Sequence, residues 1–413
     1  MLRRYRAQAC GLRDPWTSEP LELVVLDADA VGTRHGLLVS SSHTYALVFG
    51  IAILREELSE RYVPLLEARR FDALREHVLA ETETLPEVVD EAPVPLFSLA
   101  ERLLAHIETG AKASFDMTPT REWLLQLAYW HATRKAVQLI PFQPYLDASA
   151  PRRLLDLGSG IGHAAYLAAS GGRTDAISLV DANLAQLLAS PWVLGSTRTQ
   201  LVCADLEQPL PFRDGEFDLV LSCDALHYLE NKEVAAAEIA RLRSPHGAFL
   251  GWHLHDAQHA TPRTADDKAL SQAGWSALFK DAGLNVRLYN EADLERSLAA
   301  ETPWSPAVRT TLEGAETLAC FDGPSEVATE GDAWFQRPPE TAEILHPGFA
   351  HIDGTAHPVP IQTTLPSEYA RRRSLRVSPE NLPALRRNGA IVRAHTALYG
   401  PAAASFLSLS SGR

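Results

Sequence analysis

Two groups of residues in this chain have types and spacing suited to chemistry. The first is Leu154-Leu155-Asp156-Leu157-Gly158-Ser159-Gly160-Ile161-Gly162-His163-Ala164, an apolar run, an acid and three glycines at alternate positions leading into small residues. Glycines placed so let the chain turn tightly after a strand and leave room for a nucleoside-bearing ligand against the main chain. A helix beginning near His163 would add free amides that attract electron-rich groups. The second group is histidine-rich: His227 beside Tyr228, and Trp252-His253-Leu254-His255-Asp256-Ala257-Gln258-His259. Imidazole titrates near operating pH, so it can take a proton from a hydroxyl or an ammonium. Alternation puts His253 and His255 on one side of an extended segment, with Asp256 and His259 within reach. Such a set could serve as a base, as a shelf that orients an acceptor, or as a metal site.

The glycine loop is not the dinucleotide fingerprint, which wants its third glycine three residues after the second; that position is His163. The arrangement is DxGxGxG, with Asp156 two residues ahead of Gly158. It resembles the first motif of the class I S-adenosylmethionine (SAM) dependent methyltransferases, and the resemblance continues downstream in order. Ala176-Ile177-Ser178-Leu179-Val180-Asp181 reads as a second strand ending in an acid, followed by Ala182-Asn183 and a helical Leu184 to Leu188. Leu201 to Leu206 reads as a third strand with Asp205 at its carboxyl end. Phe217 to Leu229, including Cys223-Asp224-Ala225, looks like the fourth motif, and His246 to His253 like the fifth strand.

The resemblance implies SAM as cofactor, held by Asp156, Gly158, Ser159, Gly160, Gly162, Asp181, Ala182, Asp205, Leu206 and Cys223. The chemistry of SAM asks for such acids. A strand-end carboxylate can accept both ribose hydroxyls, the role expected of Asp181. Asp205 would accept the adenine amino group, with Leu206 offering its amide, and Asp156 would lie near the methionyl amino group or act through water. The acceptor is expected at the same edge, with His227, His253 and Tyr228 as catalytic candidates and Trp252 and His255 as acceptor contacts. Most members of this fold need no metal, and none is expected.

These residues need a scaffold that brings strand ends to one edge. Alternating strands and helices argue an α/β fold with a doubly wound, mostly parallel seven-stranded sheet, Rossmann-like, whose ligands sit at the carboxyl ends of the strands. After Trp275 to Ala282, a helix stopped by Gly283, Leu284 to Tyr289 reads as a strand, and Thr317 to Phe321 is the nominee for the closing antiparallel one. At 413 residues the chain exceeds the roughly 250–300 over which one core usually grows. It divides on paper into an N-terminal α+β extension (1–90), a helical lid or substrate-cap region (91–140), the SAM-binding core (141–322) and a Pro-rich, loop-rich C-terminal appendage (323–413). In the first part Leu21 to Leu26 reads as a strand, the pattern turns helical from Ile51, and Leu85 to Pro95 looks like a linker. In the second, Trp123, Tyr129 and Trp130 lie on or beside a helical stripe that either lines an apolar acceptor pocket or is core.

Composition narrows the class. A net charge of −14 argues against a general nucleic-acid surface, although Pro366 to Arg413 holds eight Arg and two Glu. That tail suits a peptide, a carrier protein, RNA, or the acidic remainder of the chain itself. The most apolar run, Tyr45 to Leu54, is ten residues long, too short for a membrane span of about 20. Scattered cysteines and the lack of a signal-like apolar stretch suit a cytoplasmic protein. The reading is a SAM-dependent methyltransferase acting at oxygen or nitrogen of a small or medium-sized metabolite, with decorated termini as in secondary metabolism. Its rivals are a methyltransferase of peptides or RNA and a noncatalytic SAM-binding protein.

Overall fold

The computed structural model describes residues 11–29, 32–82, 89, 142, 145–146, 149–162, 164–165, 168, 174–194, 199–259, 268–294, 310–324, 349–352 and 355–358. Trp123, Tyr129, Trp130, His163 and the Arg-rich tail lie outside them.

The N-terminal strands β1 (Glu22–Asp29), β2 (Gly32–Val39), β3 (Thr44–Val48) and β4 (Ile51–Ile53) form an antiparallel meander. Phe49 and Gly50, with φ of 51° and 80°, make the turn between β3 and β4. Two consecutive positive φ values suit the right-handed twist of a hairpin, so the apolar run from Tyr45 folds back on itself as two buried strands. The helical pattern expected from Ile51 therefore starts later, at α1 (Glu56–Glu67), because Ile51 to Ile53 are taken up by sheet pairing. Helix α1 buries Leu58, Tyr62 and Leu66, and α2 (Phe71–Thr82) buries Leu74 and Val78. The Tyr62 hydroxyl donates to Glu81 Oε2 at 2.8 Å, tying the two together.

The second half supplies β5 (Arg153–Leu157), β6 (Ala176–Asp181), α3 (Leu184–Leu194), β7 (Thr199–Cys203), β8 (Phe217–Cys223), α4 (Lys232–Leu242), β9 (Arg243–His255), α5 (Gln272–Asp281), β10 (Arg287–Asn290) and β11 (Thr317–Asp322). Strands β5 to β8 are short and almost wholly buried, the pattern of parallel strands covered on both faces. Their order is β7-β6-β5-β8-β9-β11-β10. All pairs among the first five are parallel, and β11 runs antiparallel to both β9 and β10.

The sheet as a whole has eleven strands where seven are expected, because β1 to β4 continue it beyond β7. Strand β4 pairs in parallel with β7, Ile51 opposite Leu201 and Ile53 opposite Cys203. An open β7 edge would present unpaired amides and carbonyls, and the N-terminal meander covers it. Beyond β4, the Leu54 and Arg55 amides both donate to the Cys203 carbonyl. The described residues near the C-terminus form a separate antiparallel ribbon, β12 (Phe349–Ile352) with β13 (Thr355–Pro358). Cys203, Cys223 and Cys320 are buried, and burial pushes the Cys203 and Cys320 thiols up.

Because β4 shares one sheet with the core, the meander and the core should unfold together. Ile53→Ala, at a fully buried position on the β4–β7 seam, should cost about 2–5 kcal/mol in a single transition in urea. An earlier, separate transition of the N-terminal residues would contradict this.

Candidate functional site

The loop after β5 carries the glycines, and backbone geometry explains their number. Gly158, Gly160 and Gly162 have φ of 63°, 56° and 83°, a region costly for other residues. A Cβ at Gly158 would overlap the Ala225 methyl in the loop after β8, and one at Gly160 would come within 2.6 Å of Gln186 Oε1 on α3. The loop is thus pressed between the ends of its two neighbouring strands. Ser159 donates its amide to the Val180 carbonyl at 3.1 Å, and Gly160 donates to Asp181 Oδ2 at 2.8 Å.

Each acid named from the sequence has a place. Asp156 is fully buried in β5, and its Oδ2 accepts the Ala165 amide at 3.1 Å, which fixes the chain beyond the loop. Asp181, at the carboxyl end of β6, accepts the Asn183 amide at Oδ1 as well as the Gly160 amide. Asp205 is exposed just beyond β7, its Oδ1 accepting the Glu207 amide at 2.9 Å, and Leu206 is buried beside it, within 3.7 Å of a Cβ built at Gly158. Ala182 lies between Asp181 and Asn183, and its carbonyl accepts from Arg55 Nη1 at 3.0 Å. Arg55 was not singled out from sequence, since the contact spans 127 positions.

The histidines meet at the ends of β8 and β9. Cys223, buried at the last position of β8, pairs with Trp252 in β9. The next residue of each strand, Asp224 and His253, has a left-handed backbone, φ 56° and 58°. In β9 this residue lies in a bulge: Leu254 faces Leu318 while Gly251 faces Cys320, so β9 carries one residue more than β11. The bulge breaks the simple alternation expected of this segment, yet the His253 and His255 rings remain 5.3 Å apart. His255 stacks on His227 at 4.0 Å and 17°, and His227 lies 4.1 Å from the Tyr228 ring. His227 Nε2 is 3.6 Å from Asp224 Oδ1. All three histidines are buried, whereas Tyr228 is 40% exposed.

Glu291, buried just after β10, holds His253. Its Oε1 accepts the His253 amide and its Oε2 lies 3.0 Å from His253 Nδ1. Sequence offered no signal for it, 38 positions away in an ordinary acidic stretch. Asp256 and His259 form a pair of their own, Asp256 Oδ2 to His259 Nδ1 at 2.9 Å, with Gln272 Nε2 also donating at 2.8 Å. Burial opposes ionisation of Asp256, but the bonds from His259, Gln258 and Gln272 outweigh it and hold the carboxyl below its usual range. Trp252 is buried within the sheet.

Comparison with known proteins bears on this edge. Residues 155–251 match the family model described as a methyltransferase domain. A malonyl-[acyl-carrier protein] O-methyltransferase of Halorhodospira halophila is 38% identical over 104 residues, 24% of this chain and 34% of that protein. One of Geobacter sulfurreducens is 31% identical over 184 residues, 41% of this chain and 69% of that protein. The chain belongs to the class I SAM-dependent methyltransferases. It spans about a third of the first relative and about two thirds of the second. Among solved structures, a complex of the Haloferax volcanii Trm112 methyltransferase activator with a methyltransferase aligns at a TM-score of 0.37 and 22% identity, covering 50% of this chain and 94% of that one.

The cofactor of the class I methyltransferases is SAM, and the residues present fit it. The turn after β5 is all glycine where side chains would collide, and acids stand at the ends of β6 and β7 on the same edge. A carboxylate such as that of Asp181 can accept about four hydrogen bonds.

Gly158→Ala forces a methyl into Ala225 at a φ of 63°. It should weaken S-adenosylhomocysteine (SAH) binding at least ~10-fold, about 1.4 kcal/mol, by calorimetry. Unchanged affinity would show that this contact does not shape the cofactor site.

Proposed function

We propose that this chain transfers a methyl group from SAM to an oxygen of an acceptor held against His227, Tyr228, His253 and His255. The observation that carries the reading is the contact of Gly158 with Ala225. It sets the glycine loop directly against the segment from Asp224 to Tyr228, so donor and acceptor sides share one wall. When bound, SAM supplies a methyl already activated by a positively charged sulfur. The chain's main contribution is then alignment, which can be worth roughly 7–11 kcal/mol. Asp181 is assigned to the ribose hydroxyls, Asp205 and Leu206 to the adenine, and Asp156 to the framework behind the methionyl end.

Acceptor chemistry falls to the histidines. For a hydroxyl acceptor, His227 takes the proton at a ring nitrogen, and Asp224 beside it stabilises the imidazolium that results. His253, pinned by Glu291, orients the acceptor, and Tyr228 meets it from the exposed side. Residues 91–140, with Trp123, Tyr129 and Trp130, are read as its cover, and 323–413 as an appendage outside the core. A small or medium-sized metabolite, of the kind modified in secondary metabolism, suits an enclosed site of this sort.

A second acceptor class is favoured by the relatives, both named for methylating malonate on an acyl-carrier protein. A carboxylate has no proton to lose, so a protonated histidine would hold it instead of deprotonating it. The sequence from Pro366 to Arg413, with eight Arg and two Glu, has the charge that would suit an acidic carrier protein.

The deciding experiment measures SAH release with two acceptor sets, free hydroxylated or carboxylated metabolites and malonyl-carrier protein. SAH release with either supports methyl transfer and names the class. Tight SAM binding without release from any acceptor would favour a noncatalytic protein. His227→Ala should lower kcat/KM about 10²–10⁴-fold on a hydroxyl acceptor while SAH affinity holds; an unchanged rate removes His227 from the chemistry.

A further inference from the structure

The donor groups that close the acceptor side suit a metal ion as well as a proton. Asp224, His253 and His255 each present one ligand atom, and these atoms all lie within 4.8 Å of one another. Two imidazoles and a carboxylate form a set that zinc and its first-row neighbours accept, and that leaves coordination positions open. Closing on metal bonds of about 2.0–2.2 Å asks these donors to draw together by side-chain rotation. The two strand ends that carry them are already side by side, since Cys223 and Trp252 are paired.

Two further observations point the same way. Glu291 Oε2 lies 3.0 Å from His253 Nδ1. A carboxylate behind an imidazole fixes the proton on that nitrogen, directs the lone pair of Nε2 outward and raises its basicity, the usual support of a metal-bound histidine. The strain is also placed where the donors are: Asp224 and His253 both adopt positive φ, a backbone region that is costly for residues with side chains. In each strand it falls on the residue that brings a donor, and His255 is held in orientation by its stack on His227.

We infer that Asp224, His253 and His255 bind one divalent transition-metal ion, with Glu291 as the positioning residue behind His253. This deepens the proposed function: the open coordination position takes an acceptor oxygen, hydroxyl or carboxylate, next to the segment that abuts the glycine loop. The donor set selects against magnesium, which prefers oxygen ligands and keeps its waters. His227 stays outside the ligand set and keeps its role towards the acceptor proton.

The test uses the full chain, stripped with a chelator and titrated calorimetrically with Zn²⁺ and, separately, Mg²⁺. One Zn²⁺ per chain with a raised Tm and no Mg²⁺ uptake is expected. Glu291→Gln should weaken zinc about 10–100-fold, and His255→Ala should abolish the site, each with SAH affinity retained as proof of fold. Absence of saturable zinc, or zinc binding that survives both His253→Ala and His255→Ala, overturns the inference. The Co²⁺-loaded wild-type chain needs no substitution: intense visible bands of a four- or five-coordinate site support the assignment, and the weak spectrum of a six-coordinate aquo ion opposes it. The two proposals fail separately. Methyl transfer at full rate by the stripped chain in chelator removes only the metal; stoichiometric zinc in a chain that never binds SAM removes only the methyltransferase reading.

Discussion

The loop after β5 and the loop after β8 come so close that only glycine fits at position 158, and much of the site depends on that contact. Parallel strands end together at one edge, but their loops must still converge for two ligands to meet there. Gly158 against Ala225 is where they converge. From it the Asp181 carboxylate reaches back to the Gly160 amide on one side, and the left-handed Asp224 turns the chain towards His227 on the other. Burial reinforces the arrangement, since β5 and β8 are buried nearly throughout and a slip of one residue would turn Asp156 out of its bond to Ala165.

The N-terminal meander completes this edge from a distance. Its last strand covers β7, and Arg55, just beyond that strand, reaches the Ala182 carbonyl next to the expected ribose acid. A guanidinium donating there restrains the turn that carries Asp181 and Asn183. The extension and the turn after β6 therefore share a hydrogen bond, one residue from Asp181.

Local signals make the glycine loop and the strand ends readable. Gly158, Gly160 and Gly162 occupy positions where positive φ is needed, and an acid at a strand's end marks itself by following a run such as Ile177 to Val180. The fifth strand and the closing strand at Thr317 were also visible as apolar runs bounded by turns. What could not be read depends on contacts far apart in sequence. Nothing around Ile51 to Ile53 says that their partner is β7, so the sequence shows a strand at Leu21 to Leu26 but not that the N-terminal strands extend the core sheet, and it places the start of helix α1 too early. Nothing near Glu291 says that it faces His253. Alternation groups His253 with His255, but it cannot show that Asp224 joins them from the end of β8 while Asp256 and His259 pair with each other.

The β4–β7 seam also constrains the order in which this chain can fold. Strands β1 to β4 are a meander of local hairpins, which form early, while the parallel partner of β4 is made only after the whole intervening region has left the ribosome. Until then Ile51 to Ile53 offer a bare apolar edge, the kind of surface on which nascent chains pair with one another. The strand is only three residues long, and Arg55 and the acids Glu56 and Glu57 follow it at once. Brevity and flanking charge keep the waiting edge from finding the wrong neighbour before β7 arrives.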